Sequence, residues 1–246
     1  KACRVTVCPK LMVFNSVINS CGRAKQWRLS LHLFEQLHLM RHRPDVISFS
    51  AAISASEKGQ QWPIALELFQ GFSRETVELD LIACNSLVTA CEKGGQWQAA
   101  LHVLQDVQEH ELQLDAISFN AAISSCAKST SWPWALQLLD EISESKLESD
   151  RITFNSAISA SPGWQMAFHL LKQMDTVQLQ RDMVSFNAAM SACDWQHGLM
   201  LLEEMQSLAM QPQLISCSAV ITSCGLGSRW QEALHVFVGM AHSPDL

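Results

Sequence analysis

Hydrophobic and small residues recur along this chain in two alternating stripes, each with the spacing of one helix face. In the first stripe Phe49, Ile53 and the Ser56 slot stand at i, i+4 and i+7, as do Phe119, Ile123 and Cys126. The second opens on a tryptophan and continues 4, 7 and 10 residues beyond it, as in Leu66, Phe69 and Phe72 or Leu136, Leu139 and Ile142. Three residues after the tryptophan stands Ser30, Ala65, Ala100, Ala135, Ala167, Gly198 or Ala233, small enough for a neighbouring helix to approach closely. Each pair of stripes predicts two short amphipathic helices. Such a pair cannot close a core alone, so the pairs must stack.

The register is set by two markers. Seven of the eight tryptophans fall at 27, 62, 97, 132, 164, 195 and 230, at intervals of 35, 35, 35, 32, 31 and 35. Asn15, Ser50, Asn85, Asn120, Asn155, Asn187 and Ser218 track them, each 23 residues after the preceding tryptophan where there is one. Length varies only between marker and tryptophan: 12 residues in four units, then 9, 8 and 12. Periods of this size predict a stacked-repeat architecture. Segments such as Glu57-Lys58-Gly59-Gln60-Gln61 and Glu92-Lys93-Gly94-Gly95-Gln96 read as turns inside a helix pair, and Met40 to Asp45 as a turn between pairs. Pro63 and Pro133 follow their tryptophans, where a helix's first turn tolerates proline. The expected units are 11–45, 46–80, 81–115, 116–150, the shortened 151–182 and 183–213, and an incomplete 214–246. The fifth and sixth lack three and four residues around Ser161-Pro162-Gly163 and Cys193-Asp194, close to one helical turn, so stacking phase is expected to survive. Pro9-Lys10 occupies the slot of Pro44-Asp45, which makes residues 1–10 the tail of a preceding unit. Pro244-Asp245-Leu246 closes the last unit and begins another, so a longer array is expected.

Composition narrows the classes. With 48% hydrophobic residues among 246 and a mean hydropathy of +0.07, the chain can bury a core, which excludes disorder. No apolar run reaches the ~18 residues of a membrane span. A net charge of −7 argues against gripping nucleic acid by a bulk positive field, so any such site must be local. Nine cysteines, an odd count, fit a reducing interior. Cys21, Cys91, Cys126, Cys193 and Cys224 recur at one packing position and no Cys-x-x-Cys exists, so they read as small buried hydrophobes. His32, His102, His169 and His235 all stand five residues after a tryptophan, too far apart to share a metal, and read as surface residues. The tryptophans read as inter-helix core, with Trp134 the exception. No phosphate-binding glycine loop, His-Glu-x-x-His helix or Gly-x-Ser-x-Gly elbow is present, so neither catalysis nor a metal or other cofactor is expected.

A 35-residue hairpin reading Val46-Ile47-Ser48-Phe49-Ser50-Ala51-Ala52-Ile53, with Pro44-Asp45-type ends, resembles the pentatricopeptide repeat. The likeness covers residues 11–246. Tetratricopeptide repeats carry an aromatic and Leu-Gly early in the first helix; here that helix carries Phe and the Asn or Ser marker, and the tryptophan opens the second. The resemblance implies an all-α, right-handed α-solenoid of about seven two-helix hairpins. It also implies modular binding of single-stranded RNA, one base per repeat. Family members serve organellar RNA processing, stability, editing or translation, which implies a chloroplast or a mitochondrion.

By the same resemblance, the fifth and last residues of a unit meet the base edge. The pairs are Asn15 with Asp45, Ser50 with Asp80, Asn85 with Asp115, Asn120 with Asp150, and Asn155 with Asp182. Asn187 with Gln213 departs from the usual combinations, and Ser218 with Asp245 requires a shortened final turn. The second residue clamps the base face: Met12, Ile47, Ile82, Ile117, Ile152, Val184 and Ile215. The family's pairing rules give uracil for Asn with Asp and guanine for Ser with Asp, hence a core of 5′-U-G-U-U-U-3′. The chemistry is sound on its own terms, since an amide offers one acceptor and two donors to a base edge and a carboxylate can orient it. Position 13 is Arg23, Lys58, Lys93 and Lys128 in the first four units, a cation per repeat suited to a phosphate backbone. Competing readings are an Asp that only caps the helix and a cation that only faces the helix dipole. At the level of function the alternatives are a tetratricopeptide-like scaffold for protein partners, or the RNA-positioning part of a larger nuclease of the protein-only ribonuclease P type.

Overall fold

The computed structural model describes residues 9–40, 42–74, 80–110, 112, 114–129, 131–145, 147 and 149–241, and among them finds helices and no strand. The chain divides into two compact units, Lys1–Ser125 and Cys126–Leu246. The first holds α1 (Pro9–Arg23), α2 (Trp27–Leu39), α3 (Val46–Lys58), α4 (Trp62–Arg74), α5 (Leu81–Lys93), α6 (Trp97–Glu109) and most of α7 (Ala116–Lys128). The second holds α8 (Trp132–Glu144), α9 (Arg151–Ala160), α10 (Trp164–Thr176), α11 (Met183–Ala192), α12 (Trp195–Ser207), α13 (Leu214–Leu226) and α14 (Trp230–Ala241). Among the described residues these fourteen helices alternate as the first and second helices of the repeats, the all-α architecture the stripes predict. Residues 1–8 and 242–246, with Asp245 among them, lie outside the described residues, and Pro9-Lys10 opens α1. Among the described residues no helix is long and apolar enough to cross a membrane.

Helix starts follow local chemistry. Every second helix begins on its tryptophan. Four first helices, α3, α7, α9 and α11, begin after an aspartate whose carboxylate accepts an otherwise unpaired backbone N–H: Ser48 N to Asp45 at 2.9 Å, Ser118 N to Asp115 at 3.0 Å, Thr153 N to Asp150 at 2.8 Å and Ser185 N to Asp182 at 2.9 Å. Each such cap contributes about 1 kcal/mol. The inner turn then reverses the chain through a left-handed residue at position 15, namely Lys25 (φ 59°), Gln60 (56°), Gly95 (65°) and Ser228 (57°).

Packing buries the two stripes against each other. In the first unit Ile18, Phe34, Leu37, Phe49 and Ala52 form one cluster, with the Phe34 and Phe49 rings edge to face at 5.0 Å. In the second, Leu139, Ile142, Phe154, Ile158, Leu170, Leu171, Met174 and Phe186 are buried. The small residue of the second helix is where a first helix crosses in α2 and α12. Ser30 is fully buried and its hydroxyl donates to the Ile18 carbonyl at 3.1 Å. A Cβ on Gly198 would come within 3.2 Å of Val220 Cγ2. Burial pushes the thiols of Cys84 and Cys193 up to about 12 and those of Cys91 and Cys126 up to about 11, so these cysteines are packing groups, not nucleophiles. Cys21 departs from the expectation by being only half-buried.

The tryptophans also depart from it. Trp27, Trp62, Trp164 and Trp195 are half-buried rather than core, because each lies over the inner turn of the next hairpin instead of between its own two helices. A Cβ at Gly59 would stand 2.5 Å from Trp27 Cγ, one at Gly227 would stand 2.6 Å from Trp195 Cδ1, and Gly94 is as closely covered by Trp62. The shortened repeats lack that glycine. Trp164 instead stacks on His197 at 3.7 Å, and Trp132 is 38% exposed. The deletions are absorbed by α9 and α11, which have 10 residues where α3, α5, α7 and α13 have 13.

Candidate nucleic-acid interface

Numbering each first helix from 11, 46, 81, 116, 151, 183 and 214, positions 2, 5, 9 and 13 fall on one helical face. Position 2 supplies a row of exposed aliphatic side chains: Met12, Ile47, Ile82, Ile117, Ile152, Val184 and Ile215 are each 58–65% exposed. In each unit these apolar groups are left in solvent at one repeat position, beside a well-filled core.

Position 5 and the closing aspartate meet across consecutive hairpins. Asn15 Nδ2 donates to Asp45 Oδ1 at 2.9 Å, Ser50 Oγ to Asp80 Oδ2 at 3.0 Å, Asn85 Nδ2 to Asp115 Oδ2 at 3.0 Å, and Asn155 Nδ2 to Asp182 Oδ1 at 3.4 Å. The aspartate therefore caps its helix and orients the marker at once. Asn120 is half-buried on α7 and Asp150 caps α9, each placed by its own helix. Asn187 is not joined to Gln213; its Oδ1 accepts from Ser216 Oγ at 2.6 Å, and Gln213 stands exposed before α13. Ser218 is exposed and bonds its own helix at Ile215 O, 2.9 Å away.

Depth differs along the row. Asn15 and Ser50 are only 6% and 9% exposed, so in the first two repeats the half-buried Asp45 and Asp80 are the more exposed members of the pairs. Asn85, Asn120, Asn155 and Asn187 are half-buried. The fifth repeat carries a cleft of about 370 Å³, lined by Ile152, Asn155, Ser159, Asp182 and Val184 with Arg151 at its edge. Asn155 Oδ1 is screened from solvent there and has no hydrogen-bond partner. Burial raises the Asp182 carboxyl, but the Ser185 N–H and hydroxyl, the Asn155 amide and the Arg151 charge outweigh it and hold the group below its usual range. Arg151, 3.6 Å from Asp182, is a site residue the repeat pattern does not reveal, since it stands at position 1 of this unit alone. A recurrent polar residue one turn beyond the marker is legible in the sequence yet absent from the expected site: Asn19, Ser54, Thr89, Ser124, Ser159, Ser191 and Thr222.

The cations at position 13 end their helices and are not equivalent. Arg23 and Lys58 are exposed and form no ion pair among the described residues, and Lys128 is exposed at the end of α7. Lys93 differs in having a partner: its ammonium is ion-paired with Glu57 of the preceding repeat. The acidic total is also unevenly placed. First helices carry six basic and two acidic residues, whereas second helices carry three basic and eleven acidic ones. The four ladder histidines are exposed, and among the described residues no three His, Cys, Asp or Glu gather as a metal site.

A family described as Pentatricopeptide repeat domain matches residues 67–129 and 102–163, and one described as PPR repeat matches residues 12–41. No curated protein matches. Among solved structures, the pentatricopeptide repeat protein PPR10 from maize superposes with a TM-score of 0.65 at 21% identity, over 98% of this chain and 35% of that one. PPR10 in complex with an 18-nt psaJ RNA element gives 0.57 at 19%, over 96% of this chain and 40% of that one. The chain thus spans between a third and two fifths of these solved chains. The hairpin fold is the same, and with the family matched over residues 12–41 and 67–163 the chain belongs to the pentatricopeptide repeat family.

Proposed function

We propose that this chain binds single-stranded RNA and reads one base per repeat, and that it serves RNA processing, stability, editing or translation in a chloroplast or mitochondrion. The carrying observation is the fifth-repeat cleft, where two aliphatic clamps flank an oriented amide whose buried Oδ1 has no partner. Uracil suits that acceptor. Its carbonyls can accept from the second Nδ2 proton, and its N3–H can donate to Asn155 Oδ1 once the side chain turns that screened atom toward the base. The flat faces of the base fit between Ile152 and Val184. Within the helices the surplus of acid sits on the second helices, while the first helices carry Arg23, Lys58 and Lys128 as exposed cations near the five closing aspartates.

Electrophoretic shift with 5′-U-G-U-U-U-3′ in a neutral flanking sequence, against a scrambled control, tests the reading. Preferential retardation of the first is expected, and equal affinity for both overturns it. Phosphate binding is assigned to Arg23 and Lys58. Replacing both by glutamine is expected to reduce the slope of log Kd against log salt by about 0.7 for each phosphate left without its cation. Lys93→Gln leaves the slope unchanged, since Glu57 already holds that ammonium. An unaltered slope in the Arg23/Lys58 variant contradicts the assignment.

A further inference from the structure

Where a marker is asparagine, its amide can be held at both ends. In the first repeat the Nδ2 end of Asn15 donates to Asp45 at 2.9 Å, and the Oδ1 end accepts from Ser48 Oγ at 2.6 Å. The Asp45 backbone N–H donates to that hydroxyl oxygen at 3.3 Å, which leaves the hydroxyl proton to be given away. Asp45 Oδ1 lies 2.7 Å from it but already receives the Ser48 N–H and the Asn15 amide, so the proton goes to Asn15. Turning the amide over would set its oxygen against the carboxylate, two acceptors with no proton between them. Ser118 does the same for Asn85, and Ser216 for Asn187, where no carboxylate assists. In the second repeat the marker is Ser50, there is no amide to orient, and position 3 of the next unit is Ala83. In the fifth repeat the Ser185 hydroxyl turns to Asp182 at 2.9 Å, and the Asn155 oxygen is left without it.

We propose that the hydroxyl at position 3 of the following repeat is a positioning residue for base choice: Ser48, Ser118 and Ser216 lock the amides of Asn15, Asn85 and Asn187 against rotation. The inference rests on the base-reading proposal above. A locked amide presents its remaining N–H on the aspartate side and its remaining lone pair on the serine side. Uracil, with an N3–H beside a carbonyl, and cytosine, with a bare N3 beside an amino group, require opposite orders of donor and acceptor. The lock therefore rejects cytosine by denying the amide its flip.

The test compares RNAs that carry a single cytosine at base one or base three. Ser48→Ala and Ser118→Ala are expected to lower the uracil-over-cytosine preference about three- to tenfold at their own base and nowhere else. Ser48→Thr restores it. Ser185→Ala loses an equivalent helix cap but leaves the preference at base five unchanged, which separates positioning from mere stability. Intact binding with unchanged ratios in both alanine variants overturns the lock. If the wild-type protein shows no RNA binding or no such preference, base reading has failed. Hydrogen exchange of the Asn15 and Asn85 side-chain amides in the free protein then decides the lock alone: faster in the alanine variants supports it, and equal rates overturn it.

Discussion

Gly59→Ala is expected to destabilise the first unit by about 1–3 kcal/mol, the usual cost of forcing atoms into a filled space. The glycine has φ −80°, so alanine meets no backbone objection and would by helix preference be favoured there. The objection is Trp27. An added methyl would lie 2.5 Å from its Cγ, 2.6 Å from Cδ1 and 2.9 Å from Cβ, and an atom so near the backbone cannot swing aside. Gly225→Ala on α13 is the contrast, with open space around the new methyl, and is expected to leave stability unchanged or raise it. Urea midpoints check both. In the Trp27→Ala background, which keeps only the Cβ contact, the Gly59→Ala penalty should fall sharply, which a double-mutant cycle reads directly. A Gly59→Ala protein as stable as wild type would mean that the tryptophan does not join one hairpin to the next.

That packing explains what was legible in the sequence and what was not. Helix starts were legible because their causes are local. The closing aspartates cap within three residues, and the tryptophan opens an apolar stripe whose period belongs to its own helix. The half-burial of Trp27 and the exposure of Trp132 were not, because cover comes from a turn about 30 residues later, which Trp27 meets at Gly59 and the shortened repeats trim away. Distance also hid the pairing of Lys93 with Glu57, since both look like solvated ends of their own helices. The edge pairs Asn15 with Asp45 and Asn85 with Asp115 follow from the register, but their depth does not. Asn15 is covered by groups from α3, whose approach no single-unit pattern states. The position-3 hydroxyl left a visible trace in the alternation of Ser48, Ala83 and Ser118 with the markers Asn15, Ser50 and Asn85. Its capping role alone would explain a hydroxyl there, so its second partner emerges only in the folded chain.

The central claim, that each hairpin chooses its own nucleotide, has a direct trial in the third repeat. Asn85→Ser reproduces the marker of the second repeat, where Ser50 donates to Asp80 at 3.0 Å, and Asp115 stands ready to receive the same bond. The family's pairing rules then turn that repeat from uracil to guanine. Affinities of wild type and variant for 5′-U-G-U-U-U-3′ and 5′-U-G-G-U-U-3′ make a four-way comparison. Wild type should favour the first and the variant the second, each by about tenfold, or ~1.4 kcal/mol. The same ranking of the two RNAs by both proteins would contradict the account.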